Sequence, residues 1–97
     1  MKVLGFREYR KNTLQGFAEV ELPSGMRIRD LTLHERAGEM WIAYPAKQFT
    51  KEDGSQGWLN LVYFADRKVN GDFQKSVLAA LDAFLKNQRQ EEGNVPW

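Results

Sequence analysis

Four polar residues that follow Pro45 have the side chains of an anion-binding loop. Lys47, Gln48, Thr50 and Lys51 come directly after a short apolar stretch, at the point where a strand would end. Lysines, amides and hydroxyls in such a position bind nucleic-acid phosphates in many proteins. These four residues are therefore candidate contacts to DNA or RNA.

A second group of cations precedes the last apolar repeat of the chain. Arg67, Lys68 and Lys75 lie near the expected start of a helix, where free backbone N–H groups and the helix dipole also favour an anion. The alternative is a solvated charged surface that only keeps the protein in solution. The net charge of +1, from 14 basic and 13 acidic residues, does not by itself indicate a nucleic-acid partner.

Residue types that perform catalysis or bind metals are sparse. His34 is the sole histidine and there is no cysteine, so a metal site would need carboxylates such as Glu35 and Glu39. Asp53-Gly54 lacks the ligand spacing of a calcium loop and is typical of a turn. No catalytic or nucleotide-binding motif is present. We expect no enzyme activity, no metal, no cofactor and no small-molecule substrate.

Length and composition indicate one domain. The chain has 97 residues, of which 42% are hydrophobic and 28% charged, enough for a single packed core. We expect a domain over residues 1–90 and a frayed tail over 91–97. With neither cysteine nor an apolar segment long enough for a signal peptide or membrane span, the sequence predicts a cytoplasmic protein without a membrane partner.

Alternating and apolar segments predict an α+β fold, an antiparallel β-sheet of about five strands with one C-terminal amphipathic helix packed on it. The third strand changes its alternation around Asp30, which indicates a β-bulge or a strand covered on both faces. The fourth and fifth are apolar at both parities and are expected to be central, separated by a polar loop from Lys47 to Gly57. The five strands are Lys2 to Arg10, Phe17 to Leu22, Met26 to His34, Met40 to Tyr44 and Trp58 to Phe64.

Helical spacing of apolar residues predicts the last element. Asp66 is a candidate N-cap, although Gly71 could mark a later start. Its core-facing residues are Phe73, Val77, Ala80, Leu81 and Phe84.

Surplus apolar residues predict a homodimer. With Leu78 and Leu85, the apolar surface of the helix is wider than packing on one sheet face requires. The predicted elements also leave the other face of the sheet uncovered. Trp41 and Trp58 complete the predicted interface. These two tryptophans could also stack on bases, although a tryptophan in an apolar strand is more often part of the core.

Three segments together resemble the stage V sporulation protein G family of small septation regulators. They are Met26 to Leu31, the segment Trp41 to Lys47 with its Tyr44-Pro45-Ala46-Lys47 ending, and Phe73-Gln74 followed by Val77-Leu78. The resemblance implies a dimeric regulator with a sheet and a C-terminal helix that binds nucleic acid, with Lys47 as a contact. Gln48 stands where that family has an arginine.

A module for protein–protein interaction or structure, without nucleic-acid binding, is the alternative. The near-neutral charge favours it.

Overall fold

The computed structural model describes the backbone of residues 1–93 and the side chains of residues 1–88. It confirms an α+β fold with antiparallel strands and one C-terminal helix. The elements are β1 Lys2–Lys11, β2 Leu14–Glu21, β3 Arg27–Arg36, β4 Glu39–Ala43, β5 Ala46–Thr50, β6 Gln56–Asn60 and α1 Arg67–Gly93.

The first four strands form one antiparallel sheet in the order β1-β2-β3-β4. Tight turns join them. Between β3 and β4, Ala37 and Gly38 both have positive φ, at 53° and 86°. This is the backbone that two-residue hairpin turns require, because its twist matches the right-handed twist of the flanking strands. Each strand therefore lies beside its neighbour in the sequence.

The change of alternation in β3 is a β-bulge. The register between β2 and β3 shifts between the pairs Ala18–Leu31 and Val20–Ile28, and Asp30 has a φ of 60°. The bulge turns both Ile28 and Leu31 toward the helix despite their odd separation. Of the two explanations that the sequence left open, the bulge is correct.

The helix covers one face of this sheet. Val77 and Leu81 are buried among sheet residues such as Val20, Leu31 and Ile42. The helix begins as the N-cap prediction requires, because Asp66 Oδ1 accepts a 3.0 Å hydrogen bond from the N–H of Val69. Gly71 lies inside the helix.

Two predictions about the strands are wrong. β4 is an edge strand, with Met40 and Trp41 exposed, and not a central one. The segment from Lys47 to Gly57 is not a loop, because it contains β5 and the start of β6, which form a separate two-stranded sheet. In the predicted fourth and fifth strands, apolar residues occupy odd and even positions alike. Several of these side chains are exposed, so the pattern does not indicate a strand that is covered on both faces. The described residues form six strands in place of about five.

The helix continues through Gly93, so the first three residues of the predicted tail are helical, and residues 94–97 lie outside the described part. Among the described residues, no helix has the length and apolar character needed to cross a membrane.

Candidate functional site

The hairpin of β5 and β6 divides the first predicted cluster between its two faces. Lys47 pairs with Leu59, and Phe49 pairs with Gly57, so these residues share one face. Gln48 and Thr50 point the other way with their partners, Trp58 and Gln56. The predicted contacts therefore separate into a lysine face and a tryptophan face.

A glycine shapes the lysine face. A Cβ atom built on Gly57 would lie 2.7 Å from the Phe49 ring and 2.9 Å from Cε of Lys51. The ring of Phe49 and the stem of Lys51 thus lie directly over the backbone of Gly57. Lys47, Phe49 and Lys51 form an exposed row with an aromatic ring between two ammonium groups.

The hairpin tip carries a negative charge beside this row. Asp53 Oδ1 accepts hydrogen bonds from the N–H of Ser55 at 2.9 Å and from its hydroxyl at 2.6 Å. These bonds lower the pKa of the Asp53 carboxyl. Gly54, with a φ of 85°, donates its N–H to the carbonyl of Lys51 at 2.9 Å, so the Asp53-Gly54 segment is the turn that the sequence predicts.

The second predicted cluster lies on the helix. Arg67 and Lys68 are exposed in its first turn, and Lys75 is exposed seven residues after Lys68, on a similar side of the helix. All residues of the hairpin except Gly57 are exposed, and none belongs to the core that α1 covers. The lysine face and the helix cations thus lie on different elements, the hairpin and α1.

The sheet face opposite the helix carries aromatic residues that lie outside the predicted site. The guanidinium carbon of Arg7 lies 5.0 Å from the ring centre of Phe17, within the range of a cation–π contact. Tyr9 lies beside the same ring, with 6.2 Å between centroids. We call this surface the open face. In the sequence, this face is indicated only by the spacing of Arg7 and Tyr9, because residues two apart in a strand point to the same side of the sheet.

His34 and Trp41 extend the open face onto β3 and β4. Their rings are stacked, 5.4 Å between centroids and 8° between planes. The two ring nitrogens of His34 form 3.0 Å hydrogen bonds with the hydroxyls of Thr13 and Thr32. Burial lowers the pKa of His34, so the neutral ring is favoured, in which one nitrogen donates and the other accepts.

An exposed apolar strip runs from β6 into the segment before the helix. Trp58 is 69% exposed and Tyr63 is 68% exposed. The expectation that tryptophans are core residues is thus wrong for Trp58, and Trp41 is also exposed, at 37%. The strip comprises Trp58, Leu61, Val62 and Tyr63, whereas Leu59, also exposed, belongs to the lysine face.

Of the predicted interface residues, Leu78 and Leu85 are partly buried against the core of their own chain. Trp58 lies in the exposed strip, and Trp41 lies on the open face. The four residues do not form one surface.

A network of polar and aromatic side chains joins β4 to the helix. Gln74 accepts a hydrogen bond from the N–H of Ile42 through Oε1 and donates one to its carbonyl through Nε2, both at 2.7 Å. Tyr44 donates its hydroxyl to Asn70, and burial raises the pKa of that hydroxyl. The Tyr44 ring also packs against Phe73. These contacts hold β4 and Tyr44, which directly precedes Pro45, against the helix.

Polar groups also line a cavity of about 340 Å³ between the sheet and the end of the helix. Glu8 and Arg10 are among them and form an ion pair of 2.8 Å, so their charges offset each other. Within the described residues, no three side chains of metal-ligating type come together.

Comparison of the chain with protein-family models, with curated proteins and with solved structures finds no match. The resemblance to the sporulation protein G family therefore stays a prediction.

Proposed function

We propose that this chain is a non-enzymatic regulator that binds DNA or RNA as a homodimer, in the manner that the resemblance to the sporulation protein G family implies. The observation that carries the proposal is the row of Lys47, Phe49 and Lys51 on one exposed face of the β5–β6 hairpin. Two ammonium groups supply phosphate contacts, and the ring between them supplies a surface for stacking.

The shape of the hairpin supports this role. A two-stranded ribbon fits the major groove of a DNA duplex, which is about 12 Å wide. Arg67, Lys68 and Lys75 add cations on the first turns of the helix, where they extend the phosphate-binding surface beyond the hairpin. The carboxylate of Asp53 opposes binding at the tip and limits the affinity.

A dimer would cover the tryptophan face of the hairpin. A two-stranded hairpin is at best marginally stable alone in water, and no residue of this one belongs to the core of the domain. Trp58 and the strip that follows it form an apolar surface that a second copy would bury. Because Lys47 and Lys51 lie on the opposite face, dimerisation leaves them free to bind phosphate.

Salt-dependent titration tests nucleic-acid binding. The parent protein is titrated with duplex and single-stranded DNA of random sequence at several salt concentrations. Each phosphate contact removed should reduce the slope of log affinity against log salt by about 0.7 to 0.9. Replacing Lys47, Arg67 and Lys68 together by Ala should therefore weaken binding to all sequences.

Lys86→Ala is the control, because Lys86 is paired with Asp82 at 3.0 Å much further along the helix. It should bind as the parent does. If the triple variant keeps the parent's affinity and slope, the proposed surface is wrong.

Light scattering tests the dimer. Trp58→Ser should shift the protein toward the monomer mass of 11.3 kDa. Leu59→Ser, on the lysine face, should keep a larger fraction of dimer than Trp58→Ser at the same concentration. A parent protein that is monomeric at micromolar concentration would contradict the dimer proposal.

The exposed strip also supports the second candidate, a protein-interaction module. A parent protein that binds no nucleic acid at low salt would favour this function.

A further inference from the structure

The open face is an unusual surface for a small sheet. Along paired positions, Arg7 lies opposite Phe17, Phe17 opposite Thr32, and His34 opposite Trp41. All of these side chains lie on the side of the sheet that the helix does not cover. An aromatic row in this position forms no part of the core.

Two arginines of the open face are neutralised by glutamates, and Arg7 is not. Arg27 and Arg29 pair with Glu21 and Glu19, at 3.0 Å and 3.4 Å. Arg7 has no carboxylate partner among the described residues and lies over the Phe17 ring. A guanidinium free of ion pairs and next to an aromatic ring can bind a phosphate that follows a stacked base.

The aromatic groups are held in place before any ligand arrives. Two hydroxyls fix the His34 ring, and that ring supports Trp41 by a parallel stack. Trp41 thus has little rotational freedom to lose on binding, which favours affinity. His34 is in this sense a positioning residue, and Trp41 is the residue that a ligand would touch.

We infer that the open face binds single-stranded nucleic acid, whose bases stack on Trp41 and Tyr9 while Arg7, held over the Phe17 ring, binds the phosphate backbone. The inference rests on the proposed function and names its ligand class. Unpaired bases are required, because the bases of a duplex already stack on one another. Tyr9 on β1 and Trp41 on β4 are three strand spacings apart, about 14 Å, and four-stranded sheets with exposed aromatics bind two or three bases in this way.

Equilibrium titration with an oligothymidylate of about twelve nucleotides, compared with a duplex of equal length, tests the inference. Trp41→Leu and Tyr9→Leu should each weaken single-strand binding by about 5- to 150-fold, the measured range for one stacked base, and weaken duplex binding less. Trp41→Phe should recover much of the affinity.

Arg7→Ala and Arg10→Ala form a matched pair on the same strand. Arg7 lies on the open face, whereas Arg10 is paired with Glu8 beside the cavity on the helix side. Arg7→Ala should weaken single-strand binding and reduce its salt slope by about 0.7, and Arg10→Ala should not. Circular dichroism checks folding, and these two exposed sites keep the test valid if Trp41→Leu fails to fold.

Three outcomes would overturn the inference. If the open-face variants bind the oligonucleotide as the parent does while the Lys47, Arg67 and Lys68 variant is weakened, the open face is not the site, and the proposed function stands. If Trp41→Leu dissociates the dimer, the open face is an interface between copies. If the parent binds no nucleic acid, the inference and the proposed function both fail.

Discussion

Gln74 closes the exposed edge of the four-stranded sheet. Its amide bonds both backbone groups of Ile42, which a neighbouring strand would otherwise bind. We predict that Gln74→Leu lowers the free energy of unfolding by about 1 to 3 kcal/mol, because it leaves the N–H and carbonyl of Ile42 without partners in a partly buried position. Urea denaturation measures this loss.

Gln88→Leu is the control for the same chemical change. Gln88 is exposed near the end of the described side chains, so its substitution should change stability by no more than about 0.5 kcal/mol. Equal losses in both variants would mean that the bonds to Ile42 contribute little.

His34 makes stability depend on pH. Burial lowers its pKa in the folded state below the ordinary value of 6.5, so the unfolded chain takes up a proton first as the pH falls. The stability contribution is complete above about pH 6.5 and is lost as the pH falls toward the folded-state pKa. We predict that the parent is less stable at about pH 5.5 than at about pH 7.5.

His34→Gln keeps a hydrogen-bonding side chain and removes the titration, so its stability should change less over this interval. Urea denaturation at both pH values compares the two proteins. A parent whose stability is the same at both values would contradict the prediction.

At the level of residues, the sequence predicts what depends on local chemistry. The Asp66 cap and the Asp53-Gly54 turn follow from side chains that bond their own backbone neighbours. The role of Gln74 depends on a strand 32 residues away, and no local pattern indicates it. The stacked pair of His34 and Trp41 requires the register of β3 against β4, which the sequence does not specify.

Two glycines in different elements should respond oppositely to the same substitution. A Cβ on Gly16 in β2 would lie 2.6 Å from the backbone oxygen of Arg7 and 2.4 Å from the Phe6 ring, whereas one on Gly71 in the helix would meet nothing within 4 Å. We predict that Gly16→Ala destabilises the protein, because the β1 backbone must shift. Gly71→Ala should stabilise it by about 0.5 to 1 kcal/mol.

Thermal denaturation of both variants checks this pair. A stabilising Gly16→Ala would show that β1 moves away from β2 without cost. A destabilising Gly71→Ala would show that the helix interior around residue 71 is not free to accept a methyl group.

Among the elements, the strands of the large sheet and the helix are predictable because one face of each is buried and the periodicity shows it. The β5–β6 hairpin is not. Its strands have polar and apolar residues on both faces, since neither face packs on the core, so Ala46–Thr50 reads as a loop. The predicted fifth strand, Trp58 to Phe64, is placed too far along the chain. Leu61 to Phe64 are apolar, as a strand would be, but they lie outside both sheets.

For the whole molecule, the hairpin should be its least stable part in the monomer. The central strands β2 and β3 carry buried residues such as Val20 and Leu31, whereas Gly57 is the sole buried residue of the hairpin. We predict that amide hydrogen exchange of Phe49 and Leu59, which lie in hydrogen-bonded pairs of the hairpin, slows as protein concentration rises, because dimerisation would protect the hairpin. Exchange at Val20 should not change with concentration.

Exchange measured at two concentrations about a hundredfold apart provides the test. Trp58→Ser is the control, because it should remove the concentration dependence. A hairpin that exchanges as slowly as β2 at the lower concentration would mean that it is stable without a partner.

The amide of Gln74 also limits how this protein can polymerise. A sheet grows into a fibre only when both of its outer strands can accept another strand. Here the β4 edge is occupied at Ile42 by a side chain of the same molecule, whereas β1 is the opposite edge of the same sheet. Joining through β1 would pair two copies, and the bonds between Gln74 and Ile42 would oppose further growth at their β4 edges.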